Sequence, residues 1–171
     1  WDWTDQAVWK YTDRVDPVTG ARDRYLAYGG DFDETPNDGP FNCNGVIGPE
    51  RKVSAKLIEV GQVHRNLIVT RKDDGSLELL NRNCFTWADE FDGTWELLAD
   101  GEVVERGVFV VPHLAPLSRC DISAFLPRSA VVGKETFLNV SFGMKEDCEW
   151  AKKGWPVARN QVALRQCGNM K

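Results

Sequence analysis

Two strings in the first fifty residues set aromatic rings beside carboxylates and amides, a combination that suits sugar recognition. Trp1-Asp2-Trp3-Thr4-Asp5-Gln6 opens the chain, and Phe41-Asn42-Cys43-Asn44-Gly45 comes near the end of the same stretch. Between them stand Tyr28-Gly29-Gly30-Asp31-Phe32 and Thr35-Pro36-Asn37-Asp38. A Trp ring packs on the apolar C–H face of a sugar, while Asp and Asn exchange hydrogen bonds with its hydroxyls. The same residue types also build ordinary loops, where Asp31 and Asp38 would brace the backbone through Asx-turns. Other chemistries are missing. There is no Gly-rich phosphate loop, no Gly-x-Ser-x-Gly and no metal-spaced histidine pair, the only histidines being His64 and His113. The five cysteines (43, 84, 120, 148 and 167) show no Cys-x-x-Cys spacing. They are expected as scattered buried thiols, with one disulfide among the last three if the protein is exported.

The elements that must position these residues change character near residue 50. Of 171 residues, 27% are charged and 42% hydrophobic, the balance of a globular chain. No apolar run approaches the ~20 residues of a membrane helix, so a soluble protein is expected. The net charge of −5 argues against a nucleic-acid partner. Residues 1–50 hold ten acids and four bases, whereas the remainder is close to neutral. The first part is rich in Gly, Pro, Asp and Asn and reads as loop, with Trp1–Tyr11 ending a strand and entering a short helical turn. Asp16-Pro-Val-Thr-Gly20 reads as a turn. Residues 51–62 predict an amphipathic helix with Val53, Leu57 and Val60 on one face. From there the period is two. Strands are expected at 67–70 and 77–80 around Asp73-Asp74-Gly75, and on either side of Asp100-Gly101. Others are expected at 105–110, 119–126, 135–143 and 157–166. Seven or so short strands predict an antiparallel Ig-like β-sandwich. Trp3, Trp87, Phe91, Trp95, Trp150 and Trp155 are expected to pack in cores, and the sequon Asn139-Val-Ser141 falls in a strand pattern. Trp1 stands where an initiator Met would, so a chain cut from something longer is expected, and its compartment, cytoplasmic or exported, is not readable.

The four N-terminal strings, in this order, resemble the LacZ-type β-galactosidases of glycoside hydrolase family 2. Asn81-Arg-Asn-Cys-Phe-Thr86 followed by Trp95-Glu-Leu-Leu-Ala-Asp-Gly101 resembles the sandwich domain that follows the catalytic barrel in that family. The resemblance implies a mainly β chain: residues 1–50 as the C-terminal end of a TIM barrel, and 51–171 as an Ig-like β-sandwich. It implies that Trp1 is a platform under the sugar and that Phe41 carries a ring that moves when sugar binds. Phe41, through its backbone carbonyl, and Asn44, through its side-chain oxygen, would be ligands of a sodium ion. Asn37 would lie near a magnesium-associated site. The implied substrate is a β-galactoside, and the implied partners are other domains of the same polypeptide, with an oligomer open for the whole enzyme.

The family's reaction uses two glutamates ~5–5.5 Å apart, with retention of configuration. Glu34, Glu50, Glu59 and the later glutamates match neither motif, so the resemblance assigns no catalytic residue to this chain and expects it to be inactive and to bind no cation alone. Asp33-Glu34 and Gly39-Pro40 depart from the family pattern, leaving the path of that loop open. Two alternatives remain: a non-catalytic carbohydrate-binding sandwich, and a family 2 enzyme for another sugar.

Overall fold

The structure, a computed structural model, describes residues 2–42 and 44–165, the Asn42 side chain excepted. Trp1, Cys43 and Cys167 therefore lie outside the described residues. The chain forms two compact units that divide between Gly61 and Gln62. No helix is long and apolar enough to cross a membrane.

In the first unit the expected helical turn is instead a hairpin of β1 (Val8–Val15) and β2 (Arg22–Ala27). Trp9, Tyr11 and Asp13 alternate with Lys10 and Thr12, a period-two pattern that suits a ribbon. Across the strands, the Arg24 guanidinium lies over the Trp9 ring at 4.1 Å. The turn at 16–20 forms as expected: Gly20 N–H donates to the Asp16 carbonyl, and the Asp16 carboxylate accepts from Val18 and Thr19. Trp3, expected to pack, is exposed. Its backbone is what pairs, with Ile47. The helix α1 (Ala55–Val63) starts later than the apolar spacing suggested. Ser54 caps it, its Oγ accepting from Leu57 N–H at 3.1 Å, which leaves Val53 exposed ahead of the first turn.

The second unit is mainly β. One antiparallel sheet has the order β3 (Leu67–Arg71), β4 (Leu77–Asn81), β7 (Arg119–Asp121). The other has the order β6 (Glu102–Phe109), β5 (Phe91–Ala99), β8 (Thr136–Met144), β9 (Pro156–Arg165). Alternate residues of both sheets face one core: Leu67, Val69, Leu77 and Leu79 from the first, and Leu97, Leu138, Val140, Phe142 and Val162 from the second. That arrangement is the expected sandwich, and the turns at 73–75 and 100–101 join the expected strand pairs.

Two buried amides hold the sandwich where apolar packing cannot. Asn160 on β9, 4% exposed, accepts from Arg65 Nε at 2.9 Å and from Val69 N–H at 3.1 Å, and donates to the Leu67 carbonyl at 3.1 Å. It thereby ties β9 to β3 across the gap between sheets. Asn81, fully buried, donates toward the carbonyls of Thr86 at 2.9 Å and Leu114 at 3.2 Å while its oxygen accepts from Asn83. So the Asn81–Thr86 string is a loop clamp.

Three expectations fail here for local reasons. The strand expected over 119–126 stops at Asp121, whose carboxylate accepts from Ser123 N–H at 2.7 Å and turns the chain into a short 3-10 helix. Trp150 and Trp155 are exposed around the β8–β9 connection. Trp87 stacks on the His113 ring at 4.1 Å instead of entering the core, whereas Phe91 and Trp95 do pack against it. Among the described residues the expected buried thiols are not found: Cys84 and Cys148 are exposed free thiols, and Cys120 is a half-buried one whose thiol burial pushes upward.

Glu78 on β4 sits between two cations, Lys72 Nζ at 2.6 Å and Arg119 Nη1 at 2.8 Å. The Lys72 hydrogen bond, then that of Arg119, holds its carboxyl below the usual range. A group whose folded pKa is lowered contributes its stability above its unfolded value and loses it as pH falls through the folded one. Glu78→Gln is therefore expected to flatten the fall in thermal midpoint below about pH 5. Scans of both proteins from neutral pH to about pH 3 check this; parallel curves would assign the acid sensitivity to other carboxylates.

Candidate functional site

Of the candidate residues, Asn37, Phe41 and Asn44 lie in the first unit, on the segment after β2, and Trp1 is outside the described residues. This segment closes on itself through short-range bonds. Asp31 Oδ2 accepts from Tyr28 N–H at 2.9 Å. The Glu34 carboxylate spans two donors, Gly30 N–H at 2.7 Å and Phe32 N–H at 2.9 Å. The Gly30 bond leads in holding the Glu34 carboxyl below its usual range. A departure from the family pattern thus acts as the brace of the loop. Asn37 lies against Gly30, where a Cβ would approach its amide oxygen to 3.1 Å, and Gly30 has φ +90°. The Gly-Gly pair is needed for this close approach. Asn37 Nδ2 donates to the Glu34 carbonyl at 2.8 Å, and its Oδ1 accepts from Gly39 N–H at 3.1 Å. Both ends of that amide are therefore engaged within the loop.

Beyond it, a 3-10 turn over Gly39–Asn42 presents the Phe41 ring, 75% exposed. Asn44 Nδ2 donates to the Phe41 carbonyl. The two groups that the resemblance pairs as cation ligands thus meet at one corner, and a turn of the amide would set two neutral oxygens side by side. Such hard oxygen donors suit a cation like sodium. A shallow hollow of about 280 Å³ next to the corner is lined by Gly29, Glu34, Pro36, Asn37 and Phe41. Among the described residues, no three His, Cys, Asp or Glu side chains are grouped to hold a metal.

A joint that sequence reasoning missed fastens this corner to the start of the chain. Ile47 N–H donates to the Trp3 carbonyl at 3.0 Å and Asp5 N–H to the Ile47 carbonyl at 2.9 Å, a short parallel bridge. Gly45 N–H donates to Asp5 Oδ1, and Lys56 Nζ donates to the Gly45 carbonyl. No local pattern announces a contact between residues 5 and 45. The small residue after Asn44 was the one available sign.

The sandwich carries a larger open trough, about 730 Å³, on the outer face of its four-stranded sheet. Thr94, Glu96, Arg106, Asn139, Ser141 and Gln161 line it, and the Asn139 and Gln161 amides bond each other at 3.0 Å. The sequon asparagine is thus a sheet residue paired across strands.

A sandwich following a looped, aromatic- and carboxylate-bearing segment fits a module of a multidomain carbohydrate-active protein. Comparison defines the class: residues 1–69 match the TIM barrel domain of family 2 glycosyl hydrolases. Residues 77–165 match the model for beta-galactosidase, domain 4, and the chain belongs to the β-galactosidase family. It is 32% identical to the beta-galactosidase of Priestia megaterium over 168 residues, covering 96% of this chain and 16% of that protein. The beta-galactosidase of Lactobacillus delbrueckii subsp. bulgaricus is 32% identical over all of this chain and 16% of its own length. That of Clostridium acetobutylicum is 28% identical, over 99% of this chain and 18% of its own. The chain spans about one sixth of the length of these relatives.

Proposed function

We propose that this chain supplies part of the sugar-site wall of a retaining β-galactosidase and, through its sandwich, a structural link to neighbouring domains of the same polypeptide. The observation that carries this reading is the corner where the Phe41 carbonyl meets the Asn44 side chain, tied to the opening Trp-Asp-Trp-Thr-Asp segment. Phe41 presents an exposed ring to a sugar, and Trp1, outside the described residues, would serve as the sugar's platform. Phe41 and Asn44 would hold sodium, whose charge orders the corner when bound. Asn37 belongs to the neighbourhood of a magnesium-associated site as a brace, since its own amide is engaged. The reaction is hydrolysis of terminal β-D-galactosides through a covalent glycosyl intermediate, formed by two glutamates outside this chain. The glutamates here have other work: Glu34 accepts from backbone N–H groups and Glu50 pairs with Lys52 at 2.9 Å.

The full-length protein carrying this segment is the sample that tests the reading, against chromogenic β-galactoside, β-glucuronide and β-mannoside. The galactoside is expected to be hydrolysed fastest, with the β-anomer as first product by NMR. Preference for either other sugar would move the protein to another member of the glycosidase family.

A further inference from the structure

The Asn44 side chain is aimed by the peptide plane that follows it, and that plane and the next are each held by one side-chain bond. Its N–H, on Gly45, donates to Asp5 Oδ1. The next carbonyl, that of Gly45, accepts from Lys56 Nζ. Ser54 Oγ donates to the Val46 carbonyl at 2.6 Å, one residue on. Gly45 is buried, and a Cβ there would meet Asp5 N at 2.7 Å and Asp5 Oδ1 at 2.8 Å. Asp5 is itself held in register by its own N–H on the Ile47 carbonyl.

We infer that Asp5 is a positioning residue for the Phe41–Asn44 corner: by accepting from Gly45 N–H it sets the Asn44 backbone, and so the point where the Asn44 side chain meets the Phe41 carbonyl. The inference rests on the function proposed above for that corner. It joins the first and last of the four strings through the contact of Asp5 with Gly45. What matters is the place of the acceptor oxygen. An amide oxygen in the same position should serve, and a carboxylate one methylene further out should not.

The test compares Asp5→Ala, Asp5→Asn and Asp5→Glu with wild type in the full-length protein, by hydrogen exchange over residues 44–47 across a sodium titration. Asp5→Ala is expected to speed exchange there roughly ten- to hundredfold and to raise the sodium concentration for half-maximal protection about tenfold. Asp5→Asn is expected to stay within about threefold of wild type in both. Asp5→Glu retains the charge and guards against a folding failure of the alanine variant; it is expected to shift the sodium midpoint upward at an unchanged thermal midpoint. Wild-type exchange and sodium response in Asp5→Ala, or in Asp5→Glu should the alanine variant not fold, would overturn the inference, as would an Asp5→Asn protein no better than Asp5→Ala. A wild-type protein without any sodium response would count against the proposed sodium site instead, and the exchange rates at 44–47 would still decide the role of Asp5.

Discussion

Asn160→Ala is expected to lower the stability of the sandwich by about 3 kcal/mol. The substitution removes three hydrogen bonds at once and strands the Val69 N–H and the Leu67 carbonyl on β3. Buried backbone groups left without partners cost about 1–3 kcal/mol each, and water entering the gap recovers part of that. Asn160→Asp should be no rescue, because a carboxylate oxygen would then face the Leu67 carbonyl. The neighbouring Gln161→Ala, at an exposed residue bonded to Asn139, is expected to change stability by less than about 0.5 kcal/mol. Urea unfolding of the three variants beside wild type measures these differences. A near-neutral Asn160→Ala would mean that the two sheets are held by apolar packing alone.

The second large effect concerns the corner itself. In the full-length protein, Asn44→Ala is expected to weaken sodium binding roughly 5- to 150-fold, the equivalent of about 1–3 kcal/mol for one ordering interaction. Galactoside binding should weaken with it, since the Phe41 turn loses the side chain that bonds its carbonyl. Excess sodium should restore part of the loss. Steady-state kinetics across a sodium titration give the result, and an unchanged sodium dependence would make Asn44 a loop-bracing amide. Asn44 and the Phe41 carbonyl supply two neutral oxygens, too few to replace a hydration shell, and the isolated chain is expected to bind sodium negligibly.

How much of this was legible in the sequence depends on the range of the interaction. The Asp73-Asp74-Gly75 and Asp100-Gly101 turns and the alternation along β4, β5 and β8 are local, and they placed the sandwich strands well. The β1–β2 ribbon was read as loop and helical turn because its exposed faces mix Trp and Tyr with Lys, Arg and Asp, with no buried stripe to mark it. Asn81 and Asn160 look like surface amides until their partners are known; burial of an amide is decided by backbone groups from distant segments. The tryptophans misled for a related reason: size alone does not say whether a ring meets the core, as Trp95 does, or a neighbouring ring, as Trp87 does with His113. At the site, the four strings were visible as motifs, yet the bond joining Asp5 to Gly45 spans 40 residues and has no local signature.

The central claim is that this chain carries sugar-site wall without the acid/base and nucleophile pair. Turnover of a chromogenic β-galactoside by the isolated chain, at high protein concentration and beside the full-length protein, tests it most directly. The expected result is hydrolysis by the full-length protein and none above buffer by the chain. Turnover by the chain alone that disappears on changing one of its own glutamates to glutamine would contradict the claim.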